Sequence, residues 1–186
     1  MVPVTSLAVP ILLSAVVVFV ASAIVHMLLP IHRNDLRKVP KEDDVMDALR
    51  RFNIPPGDYM IPCAGSPEAM KKPEFIEKMT KGPVAMMTVM QAGPPSMGGS
   101  LALWFVYCAI VSWLAAYVAG RAVGSSADYL TVFRFAGTAA FLCYSMALPQ
   151  GSIWYKRNWG ATIKTMLDGL LYGLLTGGTF GWLWPR

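Results

Sequence analysis

The chain has few of the side chains from which catalytic and metal sites are usually built: among 186 residues there are two histidines, three cysteines and eleven acids. No arrangement typical of Ser/His/Asp or Cys/His nucleophilic catalysis is recognisable. The one tight acidic cluster, Glu42, Asp43 and Asp44, opens a predicted helix, where carboxylates compensate the helix dipole. We therefore predict a protein that is not an enzyme.

Three cysteines cannot all pair within one chain. Cys108 and Cys143 lie inside apolar stretches, where free cysteine behaves as a small hydrophobe. The sequence contains neither a CxxC pair nor a Cys/His cluster, the usual signs of zinc and iron–sulfur sites. We expect all three cysteines, including Cys63, to be reduced, and we predict no cofactor.

Charge is also scarce, at 15% of the residues against 55% hydrophobic ones, which is outside the usual balance of a soluble domain. Ten Lys/Arg and nine Asp/Glu lie between residues 30 and 99, so that segment is densely charged but nearly neutral. The remaining basic residues flank apolar runs, as in proteins that meet anionic lipid headgroups. A basic stripe interleaved with aromatic residues is missing, which argues against nucleic acid as a partner.

Long apolar runs are what the chain has in abundance, and four of them reach the about 20 residues that a membrane span needs. The predicted fold is an all-α integral membrane protein of four transmembrane helices, with a partly helical loop subdomain between the first two. The helices are expected at 7–29, 100–120, 129–148 and 162–184, and the loop subdomain at 30–99. The first run has a second interpretation as a cleaved signal peptide, since Ala21-Ser22-Ala23 resembles a cleavage site, although basic residues follow it directly, as behind a retained span.

The distribution of basic residues predicts an orientation in the cell (inner) membrane, with the 30–99 loop cytoplasmic and both termini outside. An aromatic and basic run fits the inner lipid interface, with rings at headgroup level and cations toward anionic lipid. This run comprises Trp154, Tyr155, Lys156, Arg157 and Trp159.

Within the loop, Lys41–Phe52 has the pattern of an amphipathic helix, and Ser66-Pro67 resembles a helix start. A second short helix is expected at Pro73–Lys81, before Gly82, and Val84–Met90 is apolar and β-prone. Asn53–Asp58 has the composition of a turn. We expect these helices to dock a soluble partner.

The fourth run carries glycine at every fourth position, which places Gly169, Gly173, Gly177 and Gly181 on one helix face. In a bilayer such a row lets two helix backbones approach closely. The partner helix is expected either within the chain, where Ala116, Gly120 and Gly124 form a weaker row, or in another subunit.

Two ionisable residues, Lys164 and Asp168, lie inside the fourth run, and Asp168 is the one acid within the four predicted spans. They are four residues apart, so they share a helix face and are predicted to pair. The pair is either a site for proton or ion coupling or a structural aspartate neutralised by a snorkelling lysine.

His26 and His32 lie on either side of Pro30, near the end of the first run. Two imidazoles there can ligate haem or a metal ion, but their spacing matches no metal motif, and interfacial histidines are the more ordinary interpretation.

From these patterns we predict a non-enzymatic accessory or scaffold subunit of a larger membrane complex, which packs through its glycine-lined fourth helix. One alternative is a small homo-oligomeric transporter or channel that uses Asp168. Another is a membrane protein that binds haem or metal through His26 and His32.

Overall fold

The structure, a computed structural model, describes residues 1–185 and is mostly helical, at 66%. It divides into two compact units. The helical unit comprises Met1–Leu36 and the chain from Ser96 onward, and the loop unit comprises Arg37–Pro95.

In chain order, the helices and strands have the following bounds. They are α1 (Ala8–Ala23), α2 (Glu42–Arg50), β1 (Gly57–Ile61), α3 (Pro67–Met70), α4 (Pro73–Lys81), β2 (Ala85–Val89), α5 (Gly98–Ala122), α6 (Tyr129–Ser145), α7 (Pro149–Tyr155) and α8 (Trp159–Trp182). A 3-10 turn, Val4–Leu7, precedes α1, a π-helical turn, Ile24–Leu28, continues it, and a second 3-10 turn, Pro30–His32, follows.

Three helical segments are long and apolar enough to cross a membrane: Val4–Leu28, Gly98–Ala122 and Tyr129–Tyr155. They are consistent with the predicted membrane localisation. Helix α8 has 24 residues and therefore a sufficient length, but it is not among the three. Its lysine, its aspartate and its many glycines and threonines lower its mean hydropathy below that of the others.

Small side chains form the centre of the helical unit. Its core includes fully buried alanines of α1, α5 and α6, such as Ala15, Ala115 and Ala136. Ser14 of α1 donates a hydrogen bond to Ser112 of α5 across this core (2.9 Å). Small residues let the helices approach closely, as is usual for helices that pack in lipid.

The glycine row of α8 lies against α6, the helix with which α8 makes its most extensive contact. A Cβ atom on Gly173 would lie 2.9 Å from the carbonyl oxygen of Gly137, and one on Gly177 would lie 2.7 Å from that of Phe133. Gly169 and Gly181 face Ser145 and Tyr129 in the same way. The glycine row therefore packs on α6 of this chain. It does not pack on the weaker row of α5, and it is not a free surface for another subunit.

The third apolar run, expected as one helix at 129–148, ends earlier, because α6 stops at Ser145. Pro149 then begins α7, since the first turn of a helix tolerates a residue without an N–H. Ser152 of α7 and Thr162 of α8 share a buried hydrogen bond (2.7 Å), and Asn158 caps the start of α8. These two contacts hold the first turn of α8 against α7.

In the loop unit, β1 and β2 pair antiparallel, from Gly57 opposite Val89 to Ile61 opposite Ala85. Helices α3 and α4 lie between the two strands in sequence, and the Ser66 hydroxyl accepts the N-cap hydrogen bond of α3 from Ala69. The sequence does not predict strand β1, since Asn53–Asp58 has the composition of a turn.

Candidate functional site

His26 lies in the π-helical turn at the end of the first apolar segment, Val4–Leu28. Here the Leu29 N–H donates to the Ile24 carbonyl, five residues back, instead of four (3.1 Å). The extra residue rotates the following side chains, and such turns are frequent at functional sites. The Nδ1 atom of His26 lies 3.1 Å from the carbonyl oxygen of Ser22.

His32 is brought beside His26 by the break at Pro30. Proline begins the short 3-10 turn Pro30–His32, which folds the chain back across the end of the first apolar segment. The two imidazole rings stack, with centroids 4.6 Å apart and planes within 2° of parallel. The Nδ1 atom of His32 lies 2.7 Å from Oδ2 of Asp35.

Asp168 of α8 faces both histidines. Its Oδ2 atom lies 2.9 Å from Nε2 of His32 and 4.0 Å from Nε2 of His26. Its side chain is only 9% exposed. One potential ligand atom from each of His26, His32 and Asp168 lies within 4.8 Å of the other two. We refer to these three residues as the His/Asp cluster.

The partners of the two Nδ1 atoms decide which imidazole nitrogens are free. A carbonyl oxygen and a carboxylate oxygen only accept hydrogen bonds, so Nδ1 of each ring carries its hydrogen. In the neutral rings, both Nε2 atoms then offer lone pairs, and both lie near a carboxylate oxygen. Within residues 1–185, Nε2 of His32 and Oδ2 of Asp168 find no partner with hydrogen-bond geometry. Three electron-pair donors that converge in this way have the chemistry to hold a cation.

Lys164 lies one turn before Asp168 on α8, but its ammonium group pairs with the Asp35 carboxylate and donates to the Ile31 carbonyl (2.9 Å). Lys164 thus pairs with Asp35, and Asp168 faces the histidines. The two residues do not form the pair expected from their spacing. The hydrogen bond from Lys164, and then the one from His32, lowers the pKa of Asp35 below its ordinary value. An ionised Asp35 holds His32 by its Nδ1–H.

A pocket of about 420 Å³ opens beside the cluster, between α1, α5, α6 and α8. His26 and Asp168 form part of its wall, with Ser22 and Thr165 nearby. The remaining wall is largely apolar and aromatic, with the hydroxyls of three tyrosines as its further polar groups. Its aromatic members are Phe19, Trp104, Tyr107, Tyr144 and Tyr172.

The aromatic and basic run predicted at the lipid interface covers the end of α7 and the start of α8. Trp154 is 76% exposed, and Tyr155 and Trp159 are exposed as well. Lys156 caps a carbonyl of α7, and the Arg157 side chain packs against Gly151. These contacts leave the aromatic rings available to a surrounding phase.

The sequence identified His26, His32, Lys164 and Asp168, but it did not bring the histidines and Asp168 together, and it missed Asp35. The histidine spacing matches no motif, because the site depends on a π turn that the residue pattern does not predict and on the direction in which the chain turns after Pro30. Asp35 is one of nine acids in a nearly neutral segment, so nothing distinguished it from the others.

Comparisons with protein-family models, curated proteins and solved structures give no match for this chain.

Proposed function

We propose that this protein is a membrane protein that binds a divalent first-row transition-metal ion at the His/Asp cluster. The observation that carries the proposal is the convergence of two imidazole nitrogens and one carboxylate oxygen within 4.8 Å. Two histidines and a carboxylate form the ligand set of open zinc sites and of non-haem iron(II) sites, in which further positions remain for water or a substrate.

The groups behind the ligands support the same assignment. In metal sites, a ligating histidine usually donates its other N–H to a carboxylate or a backbone carbonyl, which fixes the tautomer and the ring orientation. His32 has such a carboxylate in Asp35, and His26 has such a carbonyl in Ser22. Lys164 in turn holds Asp35. The set therefore includes both the ligands and the groups that orient them.

An ion fits the cluster better than a haem or a lone proton. Haem ligation by both histidines needs the macrocycle between them, whereas these rings stack on each other at 4.6 Å. A proton shared by His32 and Asp168 would leave the lone pair of His26 unused. One ion can engage all three groups once His26 turns out of the stack, and its side chain, 44% exposed, has room to turn.

The test is a zinc titration of the purified chain in lipid nanodiscs, with a purification tag free of histidine. We expect one Zn²⁺ per chain by calorimetry, and visible absorbance of Co²⁺ in the same site. Replacing both histidines (His26→Ala with His32→Ala) is expected to remove both signals. Undiminished zinc binding by the double variant, or no binding by the original chain, would overturn the proposal.

We propose that α8 is a fourth transmembrane helix, as the sequence predicts, although it is less apolar than the other three. Its 24 residues extend about 36 Å, more than the thickness of a hydrocarbon core. Its polar groups face partners of the chain: Lys164 meets Asp35, and Asp168 meets the histidines. The basic residues favour the inner membrane with the loop unit in the cytoplasm and both termini outside.

The exposed Cys63 of the loop unit tests this orientation, because Cys108 is buried and Cys143 is half-buried. A maleimide that cannot cross membranes is expected to label Cys63 in inverted inner-membrane vesicles and to leave it unlabelled in intact spheroplasts. The variant Cys63→Ser provides the background signal. Labelling of Cys63 in spheroplasts would place the loop unit outside and reverse the proposed orientation.

The accessory-subunit function and the Asp168-based transporter remain proposals from the sequence. The scaffold proposal relied on a glycine face that is filled by α6 within the chain, so a partner would need another surface. The transporter proposal keeps Asp168 as its central residue and shares the His/Asp cluster with the metal site. The metal site is preferred because it uses both histidines as well.

A further inference from the structure

The pocket beside the His/Asp cluster has the size and the lining of a small-molecule site. Its volume of about 420 Å³ lies within the range of about 300–1,000 Å³ typical of such sites. We propose that it binds a neutral, membrane-soluble molecule with a flat, oxygen-bearing ring, of the quinone class, with one ring oxygen directed at the cluster. The inference rests on the proposed function, because the metal site forms the polar end of the pocket.

The walls favour a flat ring over a flexible chain. Trp104 stacks on Tyr107 at 5.5 Å and meets Tyr172 edge to face at 6.3 Å, and Tyr144 meets Tyr172 edge to face at 5.4 Å. Aromatic pairs gain energy from these offset and edge-to-face arrangements beyond the area that they bury. A flat ring in the pocket can make the same contacts with these aromatic side chains, whereas a saturated chain is stabilised only by burial of its apolar surface.

The polar end of the pocket offers partners to a ring oxygen. The Ser22 hydroxyl is occupied by the Trp104 indole N–H (2.7 Å), and the Thr165 hydroxyl donates to the Ala161 carbonyl (3.0 Å). The groups that remain for a ligand are His26, Asp168 and the buried hydroxyls of Tyr144 and Tyr172, which find no hydrogen-bond partner within residues 1–185. A hydroxyl of the ligand can donate to Asp168, and a carbonyl oxygen can reach an ion at the cluster.

The position of the pocket favours a ligand that arrives from the lipid phase. Its walls come from the ends of apolar helices, and the exposed side chains Met27 and Met97 stand at its edge. A sugar or a nucleotide would find few hydrogen-bonding groups on these walls, while a membrane-soluble ring loses little by entering them.

The experiment measures binding of three probes to the chain in nanodiscs, each with zinc present and with zinc removed by a chelator. The probes are a short-chain benzoquinone, the alcohol with the same alkyl chain and a saturated fatty acid. We expect saturable binding of one benzoquinone per chain and much weaker binding of the alcohol and the fatty acid. Leu101 lines the pocket, and the variant Leu101→Trp, whose larger side chain would occupy part of it, is expected to weaken benzoquinone binding by about tenfold or more. The control is Leu103→Trp, at a position that is 72% exposed and outside the pocket, and it is expected to leave benzoquinone binding unchanged.

Equal binding of benzoquinone and alcohol, preference for the fatty acid, or equal effects of the two tryptophan variants would each overturn the inference. If Leu101→Trp does not fold, the comparison of the three probes on the unaltered chain still tests the inference. Zinc binding without benzoquinone binding would leave the metal site in place and remove only the pocket ligand. Benzoquinone binding by a chain that takes up no zinc would remove the proposed function instead.

Discussion

Replacement of Asp168 by asparagine is expected to weaken zinc binding by more than about 100-fold. Loss of a group that only hydrogen-bonds to a ligand already lowers metal affinity by about 10–100-fold, and Asp168 is proposed as a ligand itself. Asparagine keeps the size of the side chain but supplies no negative charge to the ion. Asp35→Asn is expected to cause an intermediate loss of about 10–100-fold, since Asp35 orients His32 through Nδ1 without being a ligand. Both affinities are measured by competition with a chromophoric chelator.

The matched control for these variants is Asp128→Asn. Asp128 caps α6 through its hydrogen bond with the Thr131 N–H (3.1 Å), and asparagine caps helices equally well. This variant removes a carboxylate that is not part of the cluster, and it is expected to leave zinc affinity unchanged. If Asp168→Asn and Asp128→Asn bound zinc equally well, Asp168 would not be a ligand. If Asp35→Asn had no effect while Asp168→Asn did, the ligand role would stand and the orienting role would not.

Replacement of Gly177 by alanine is expected to destabilise the helical unit by about 1–3 kcal/mol, the usual cost of an extra methyl group in a packed interface. The new Cβ would lie 2.7 Å from the Phe133 carbonyl oxygen and 3.1 Å from Cα of Gly137. Both are backbone atoms, so α6 and α8 would have to move apart. Unfolding in mixed detergent micelles measures the change in free energy.

The adjacent Gly178 offers the control. A Cβ there would meet only the Tyr129 hydroxyl, at an ordinary 3.6 Å. Gly178→Ala is therefore expected to be neutral or to stabilise the chain by up to about 1 kcal/mol, through the better helix propensity of alanine. Equal stability of the two variants would show that the glycine row does not set the distance between α6 and α8.

Residue patterns alone predicted the helical class, the apolar segments and several local features. Helix α4 spans Pro73–Lys81, the range expected from its first proline and from the glycine that follows, because both signals act on neighbouring backbone groups. The periodic glycines marked a packing face because every fourth residue of a helix lies on one side. The sequence did not reveal β1, since a strand of five residues is stabilised by its distant partner.

The sequence by itself thus determined where helices form and which faces have small side chains, because these properties depend on residues within one or two turns of each other. Only the tertiary structure decided that α6 fills the glycine row of α8, and that His26, His32 and Asp168 meet. The local rule that pairs residues four apart favoured Lys164 with Asp168. The fold instead brings Asp35 and the histidines over the start of α8, where Lys164 and Asp168 each find a partner distant in sequence. Such partners are chosen by the π turn, the break at Pro30 and the packing of whole helices.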